Sequence, residues 1–254
     1  MELGGYIELD NYTGNMFHEE GVLLNSGRAC LAYILLAKKV NTIYLPWFCC
    51  SDVRDYVKKI GVNVRQYSID EHWLPRDVVL DDDDYLYVVN YYGQLTDEQI
   101  IKLKNKYSRI ILDNAQAYFA KPLPYVDTLY TCRKFFGVPD GGVLFTDSNM
   151  NRELPLDESC NRMHFLLGRY ERTASEFYSE YAANNDMFAD EDIKRMSKLT
   201  RNLLHGLDYD SICEKRTLNF NYLHRNLGSL NKFELESIQG GQLSTVNRDR
   251  CKYS

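Results

Sequence analysis

Between residues 28 and 112 the apolar pattern switches repeatedly between the 3.6-residue period of a helix and the short continuous runs of a buried strand. Helical spacing covers 28–39, a short strand over 42–45 stops at Pro46, helical spacing returns over 51–60, and 62–67 reads as strand. A strongly apolar strand over 85–90 ends in Tyr91-Tyr92-Gly93, a helix over 97–107 starts behind the cap residue Thr96, and 109–112 is the next strand. Strands separated by helices run parallel, and a parallel sheet must be covered on both faces. Two further strands, 125–130 and 142–146, leave no room for a full helix between them, so one neighbouring pair is expected to be antiparallel. The expected class is therefore α/β, a mainly parallel sheet covered by helices.

The character changes after residue 150. Segments 161–183 and 190–204 have the spacing of long polar helices, 208–227 offers another that carries Arg216, Asn219 and Asn221, and no strand pattern follows. The final stretch, 238–254, is polar, contains glycine and reads as loop. This divides the chain into an α/β cofactor-binding large domain, 1–150, and a helical continuation, 151–254. The aspartate run 81–84 reads as a solvated turn before a strand, because a calcium loop spaces its oxygen ligands and includes a glycine.

Asp113 closes one apolar strand, and twenty-one positions later Lys134 follows another. In an open α/β sheet, ligands sit beyond the carboxyl ends of strands, which is where both residues fall, together with Asn90 and Cys49. A lysine amine and a carboxylate so disposed are the two groups that pyridoxal 5'-phosphate chemistry requires. The amine holds the cofactor as a Schiff base and the carboxylate keeps the ring nitrogen protonated. Asn25-Ser26-Gly27-Arg28 opens the first long helix, where free N–H groups and the helix dipole suit a phosphate, although serine and glycine there also make an ordinary cap. Thr131, three residues before the lysine, is a candidate phosphate ligand, and Arg133 is either a second ligand or a surface cation. Gly141 and Gly142 would let backbone pass close to a cofactor or form a plain turn. Gln116 could reach the ring hydroxyl or lie exposed in a helix's first turn.

Composition narrows the alternatives. A net charge of −6 disfavours an extended nucleic-acid surface. The N-terminus lacks a basic segment followed by an apolar stretch, and no window approaches membrane-spanning length, so a cytoplasmic location is expected. Seven scattered cysteines, two of them vicinal at Cys49 and Cys50, do not suggest a disulfide framework. With five dispersed histidines they give no metal-ligand spacing, so no metal site is expected.

Five segments in order carry a resemblance: 24–31 (Leu-Asn-Ser-Gly-Arg-Ala-Cys-Leu), 45–51 (Leu-Pro-Trp-Phe-Cys-Cys-Ser), 89–93 (Val-Asn-Tyr-Tyr-Gly), 112–117 (Leu-Asp-Asn-Ala-Gln-Ala), and Arg133-Lys134 with the trailing Gly141-Gly142. Over roughly residues 20 to 150 the chain resembles the DegT/StrS-type sugar aminotransferases, which are fold-type-I pyridoxal-phosphate enzymes. The resemblance implies that Lys134 binds the cofactor and shuttles a proton, and that Asp113 pairs with the pyridinium. Gln116 would lie near the phenolic oxygen, with Ser26, Gly27, Arg28 and Thr131 around the phosphate. Where such enzymes stack an aromatic residue on the ring, this chain has Cys50, with Phe48 or Trp47 as substitutes. Where they often carry histidine before the strand-end glycine, it has Asn90.

Lysine rather than histidine at 134 implies transamination instead of dehydration. The implied reaction moves an amino group from an amino acid, commonly glutamate, to a keto group on a nucleotide-linked sugar for polysaccharide or glycan biosynthesis, within a homodimer whose partner could contribute residues from 161–197. Family members are longer, and their small C-terminal domain is expected to be truncated or vestigial here. The alternatives are an impaired or non-catalytic member of the fold acting as a binding or partner subunit, and an unrelated α/β enzyme in which Lys134 is a surface residue.

Overall fold

A computed structural model describes residues 5–231 and 235–236, so the tail 238–254, read above as loop, falls outside the described residues. Among the described residues eight strands make one sheet: β1 (Val22–Leu24), β2 (Thr42–Pro46), β3 (Asn63–Ile69), β4 (Pro75–Arg76), β5 (Tyr85–Val89), β6 (Ile110–Asp113), β7 (Asp127–Thr131) and β8 (Gly142–Phe145). Their spatial order is β1-β8-β7-β6-β5-β2-β3-β4. The five central strands β7, β6, β5, β2 and β3 are parallel, and β8 joins β7 antiparallel, as the short 125–146 connection required. The sheet is thus the mainly parallel, helix-covered α/β sheet expected from the alternation.

The strand sequences explain this placement. All four residues of β6 and four of the five in β5 are buried, the signature of strands covered on both faces. Helix α1 (Gly27–Ala37) buries seven consecutive residues, Ala29 to Leu35, between sheet and neighbours, whereas α2 (Ser51–Lys59) is amphipathic and buries Tyr56 and Val57. Helix α3 (Asp97–Tyr107) starts at a reciprocal Thr96–Gln99 capping box, has Asp97 and Glu98 in its first turn and Lys104 and Lys106 in its last, and so complements its own dipole.

The C-terminal helices differ from the sequence expectation. The continuous helix over 161–183 is broken into α4 (His164–Glu171) and α5 (Tyr178–Met187), separated by a 3-10 turn, Ala174–Phe177. Thr173 and Glu176 form a second capping box, which restarts the helix, and Gly168 lets α4 sit so close to Phe177 that an added Cβ would lie 2.2 Å from its ring. The expected helix over 190–204 begins only at α6 (Lys198–His205). Before it the chain is extended along the β1 edge: Asn25 N donates to the Lys194 carbonyl (2.9 Å) and Met196 N to that of Leu23 (3.1 Å). Backbone pairing with an otherwise open edge strand overrode the helical pattern. The stop is fixed by Asp140, which is fully buried and accepts from Ser197 N (2.8 Å), Ser197 Oγ (2.7 Å) and Thr200 Oγ1. Helix α7 (Tyr209–Leu227) lies where the pattern placed it, capped by Asp208.

The aspartate run makes the expected turn. Asp81 and Asp83 face Arg65 (3.7 Å) and Arg109 (3.6 Å), while buried Asp84 accepts from Asp81 N.

Candidate functional site

The chain leaves β2 for β3 and β4 on one side and returns to the other side of β2 as β5, so a crevice opens at the carboxyl ends between them. A cavity of about 400 Å³ lies there, walled by the segments following β2, β5, β6 and β7, by the start of α1 and by one face of α5. Nine of the ten residues proposed from sequence line it: Ser26, Gly27, Arg28, Phe48, Cys50, Asp113, Gln116, Thr131 and Lys134.

Asn90, the tenth, is set behind the wall. Its side-chain N–H₂ donates to Asn114 Oδ1 (3.0 Å) and its Oδ1 accepts from Leu95 N (2.9 Å), which spends the amide on bracing the strand-end turn. In that turn Tyr92 adopts a left-handed φ of 55°, and its N–H donates to Gln116 Oε1 (3.0 Å). Gln116 therefore fixes the turn with its oxygen, and its N–H₂ has no protein partner among the described residues.

Asp113 is 8% exposed at the end of β6. Its Oδ1 accepts from Ala115 N (2.7 Å) and its Oδ2 from the Tyr87 hydroxyl (2.7 Å). Tyr87 pairs with Ile111 in the parallel ladder, so side chains at 87, 111 and 113 share one face and the phenol reaches the carboxylate diagonally. Cys49 stands close by, and burial, then the charges of Asp113 and Cys50, push its thiol up to about 12. It is a neutral, inert wall residue.

The start of α1 supplies open donors. Ser26 Oγ caps Ala29 N (3.0 Å), and Cys30 N begins the helical ladder at Ser26 O, which leaves the Gly27 and Arg28 N–H groups without a partner among the described residues. The Ser26 hydroxyl still has its proton to donate. Gly142 explains how this end is seated: a Cβ there would lie 2.5 Å from the Ser26 carbonyl oxygen and 2.8 Å from Cys30 Sγ. Gly141 has φ +117°, and its N–H donates to Asn25 O (2.7 Å). The two glycines thus dock α1 on β8 and hold the Ser26 end in place, instead of bringing backbone to the cavity.

Opposite that end stand two guanidinium groups. Arg28 Nη2 donates to the Asn185 carbonyl (2.9 Å), with Asp52 3.9 Å from its Nη1, and Arg133 Nη2 donates to Asn185 Oδ1. Arg133 lies over the Phe188 ring at 4.5 Å, and its Nη1 is buried without a partner among the described residues. Burial, then the nearby charge of Arg28, bring its pKa down to about 10. An orphaned, buried donor on a half-buried cation beside a second cation and a helix N-terminus fits an anion. Asn185 and Tyr181 come from α5 of the same chain and Phe188 caps its end; beyond their place in the span 161–197 they carry no local signal.

Lys134 is exposed at the cavity mouth, and its Nζ has no protein partner among the described residues. Its backbone is held from α7, where Arg216 donates to the Lys134 carbonyl (3.4 Å) and stacks over Phe135 at 4.3 Å. A wider, mainly apolar cavity of about 890 Å³ adjoins on the far side of Arg133 and Lys134. Phe48 is 40% exposed on the wall, 5.4 Å from the Tyr91 ring, and its carbonyl accepts from the Tyr91 hydroxyl. Cys50, at the start of α2, lines the same side.

Among the described residues no cluster of His, Cys, Asp and Glu could hold a metal, and no helix is long and apolar enough to cross a membrane.

The fold is that of several solved structures, an aminotransferase among them. DesV from S. venezuelae, solved with a ketimine intermediate, superposes with a TM-score of 0.57 at 16% identity over 92% of this chain and 69% of its own. An aminotransferase from Psychrobacter cryohalolentis gives 0.52 at 14% identity over 90% of this chain and 67% of its own. The 3-amino-5-hydroxybenzoic acid synthase gives 0.51 at 15% identity over 84% of this chain and 60% of its own. The chain thus has the fold of these proteins and spans six-tenths to seven-tenths of their length. No protein-family model matches the sequence, and neither does any curated protein.

Proposed function

We propose that the chain is a pyridoxal-phosphate-dependent aminotransferase acting on a keto sugar. The observation that carries this reading is the convergence, in one cavity, of a buried carboxylate, a free lysine and an anion cradle with an orphaned arginine donor. The fold shared with DesV and the Psychrobacter aminotransferase supports it.

When bound, pyridoxal phosphate supplies a ring that withdraws the electron pair left by removal of a proton next to the amine. The protein's own groups divide the remaining work. Gly27 and Arg28 N–H, the Ser26 and Thr131 hydroxyls and the Arg28 and Arg133 guanidiniums would hold the phosphate. Asp113 would face the ring nitrogen, and Gln116, through its free N–H₂, the ring oxygen. Lys134 would hold the cofactor covalently through Nζ and, once displaced by the substrate amine, move the proton. Phe48 would cover one ring face. The amino donor we propose is glutamate, the acceptor a nucleotide-linked sugar, and the working unit a homodimer.

A binding subunit of the same fold is the second reading. One observation favours it: Arg133 is half-buried with its Nη1 enclosed at the cavity, whereas Lys134 is exposed. Absorbance spectra with added pyridoxal phosphate, before and after borohydride, separate the two. A band fixed by reduction in the parent and absent in Lys134→Ala supports the enzyme. Cofactor binding with nothing trapped supports the binding subunit, and no binding sinks both.

A further inference from the structure

We propose that Tyr87 is a positioning residue that holds the Asp113 carboxylate in the one rotation that presents it as an acceptor to a cofactor ring N–H. The inference rests on the cofactor reading above and adds a residue that the sequence motifs did not single out.

The argument begins with the carboxylate. At 8% exposure Asp113 has little water to stabilise its charge, and its two donors at 2.7 Å are the Ala115 N–H and the Tyr87 hydroxyl, one on each oxygen. The first is part of the turn after β6 and would be present whatever side chain stood at 87. The second is supplied across the sheet, from a strand whose register with β6 is set by four consecutive pairs, Leu86 with Ile110 to Val89 with Asp113. Tyr87 is 2% exposed, and burial, then the Asp113 charge, raise its phenol far above the ordinary range, so it remains a donor. The other titratable neighbours, Cys30, Cys49 and Tyr91, are kept neutral chiefly by burial.

Each carboxylate oxygen has two acceptor positions, so one donor on each leaves room for a ligand N–H. Two fixed donors also settle the carboxylate's rotation, which a lone turn N–H would not. Without the Tyr87 donor the carboxylate would turn about its single remaining N–H bond, and a ring N–H would lose its fixed acceptor.

Tyr87→Phe keeps the buried ring and removes the hydroxyl alone. In the cofactor-free chain, the ¹³C resonance of the Asp113 carboxylate is expected to shift in this variant. With ring-¹⁵N pyridoxal phosphate bound, the ¹⁵N resonance is expected to move toward that of neutral pyridine. Loss of packing alone would not move the ring resonance in that direction. Incorporation of 3-fluorotyrosine at 87, a more acidic donor, should shift the carboxylate resonance in the opposite sense and leave the ring nitrogen protonated, which guards against a folding defect in the phenylalanine variant. An unchanged ¹⁵N resonance in Tyr87→Phe with cofactor bound overturns the proposal. If the parent binds no pyridoxal phosphate, the cofactor reading fails and the ring half of the proposal with it. The cofactor-free ¹³C comparison then decides separately whether Tyr87 engages the Asp113 charge.

Discussion

Arg133 and Asn185, fifty-two positions apart, meet through a guanidinium–amide hydrogen bond, and the carbonyl of the same asparagine takes Arg28. One residue of α5 thereby orders both cations of the cradle, which would otherwise repel each other, and leaves Arg133 Nη1 without a partner among the described residues. Arg133→Leu should weaken pyridoxal-phosphate binding roughly ten- to hundredfold, as a charge-assisted hydrogen bond contributes about 1.5–3 kcal/mol. Fluorescence titration with the cofactor and with inorganic phosphate measures this. Unchanged affinity for both would remove Arg133 from the site.

Gly142→Ala tests how the helix end is seated. The new Cβ would meet the Ser26 carbonyl at 2.5 Å, and backbone cannot swing aside as a side-chain tip can. A loss of about 1–3 kcal/mol is expected from overpacking. Weaker cofactor binding should accompany it, because the Gly27 and Arg28 N–H groups move with the helix. Chemical unfolding and a cofactor titration on the same variant report the two effects.

Asp140 should be one of the costlier positions outside the cavity. Asp140→Ala leaves Ser197 N, Ser197 Oγ and Thr200 Oγ1 without their shared acceptor in a fully buried place. About 3 kcal/mol of destabilisation follows from stranding buried donors. Limited proteolysis should find new cleavage within 190–197, and an unchanged digestion pattern would contradict the latch.

His18 makes stability pH-dependent. It is 2% exposed, its Nε2 lies 2.7 Å from the Tyr118 carbonyl, and burial lowers its pKa from 6.5 to about 4. Between those values the unfolded chain binds the proton and the folded chain does not. The His18 contribution to stability is therefore complete above about pH 6.5, falls as pH drops toward 4, and is flat below. The loss is about 3 kcal/mol across that window. Urea midpoints from pH 7.5 to 4 should show this slope in the parent and a shallower one in His18→Gln.

Six of the eight strands, all but the short edge strands β1 and β4, and the helices α1 to α3 were legible because each is an autonomous pattern. Thr96 with Gln99 starts a helix wherever the chain places it, and the 110–113 run buries on both faces of any parallel sheet. The second half misled because its strongest local signals were weak ones. The 173–176 capping box was present in the sequence, but a continuous helical period over 161–183 masked it. The extended segment before α6 had no local signal, since its conformation comes from hydrogen bonds to Leu23 and Asn25, about 170 positions earlier.

Amino-acid sequence by itself determined six of the strands and the helices α1 to α3 in order, the placement of Asp113, Thr131 and Lys134 at or just past strand ends, and the donors at the start of the first helix, because these follow from periodicity and capping within a few residues. Tertiary structure decided which side chains complete the site. It withdrew Asn90 from the cavity, brought in Asn185 and Phe188, enclosed Arg133 Nη1 as an open donor and set Tyr87 against Asp113. Those relationships depend on strand register and on how α5 docks, and contacts between residues far apart in the chain leave no periodic trace in either segment.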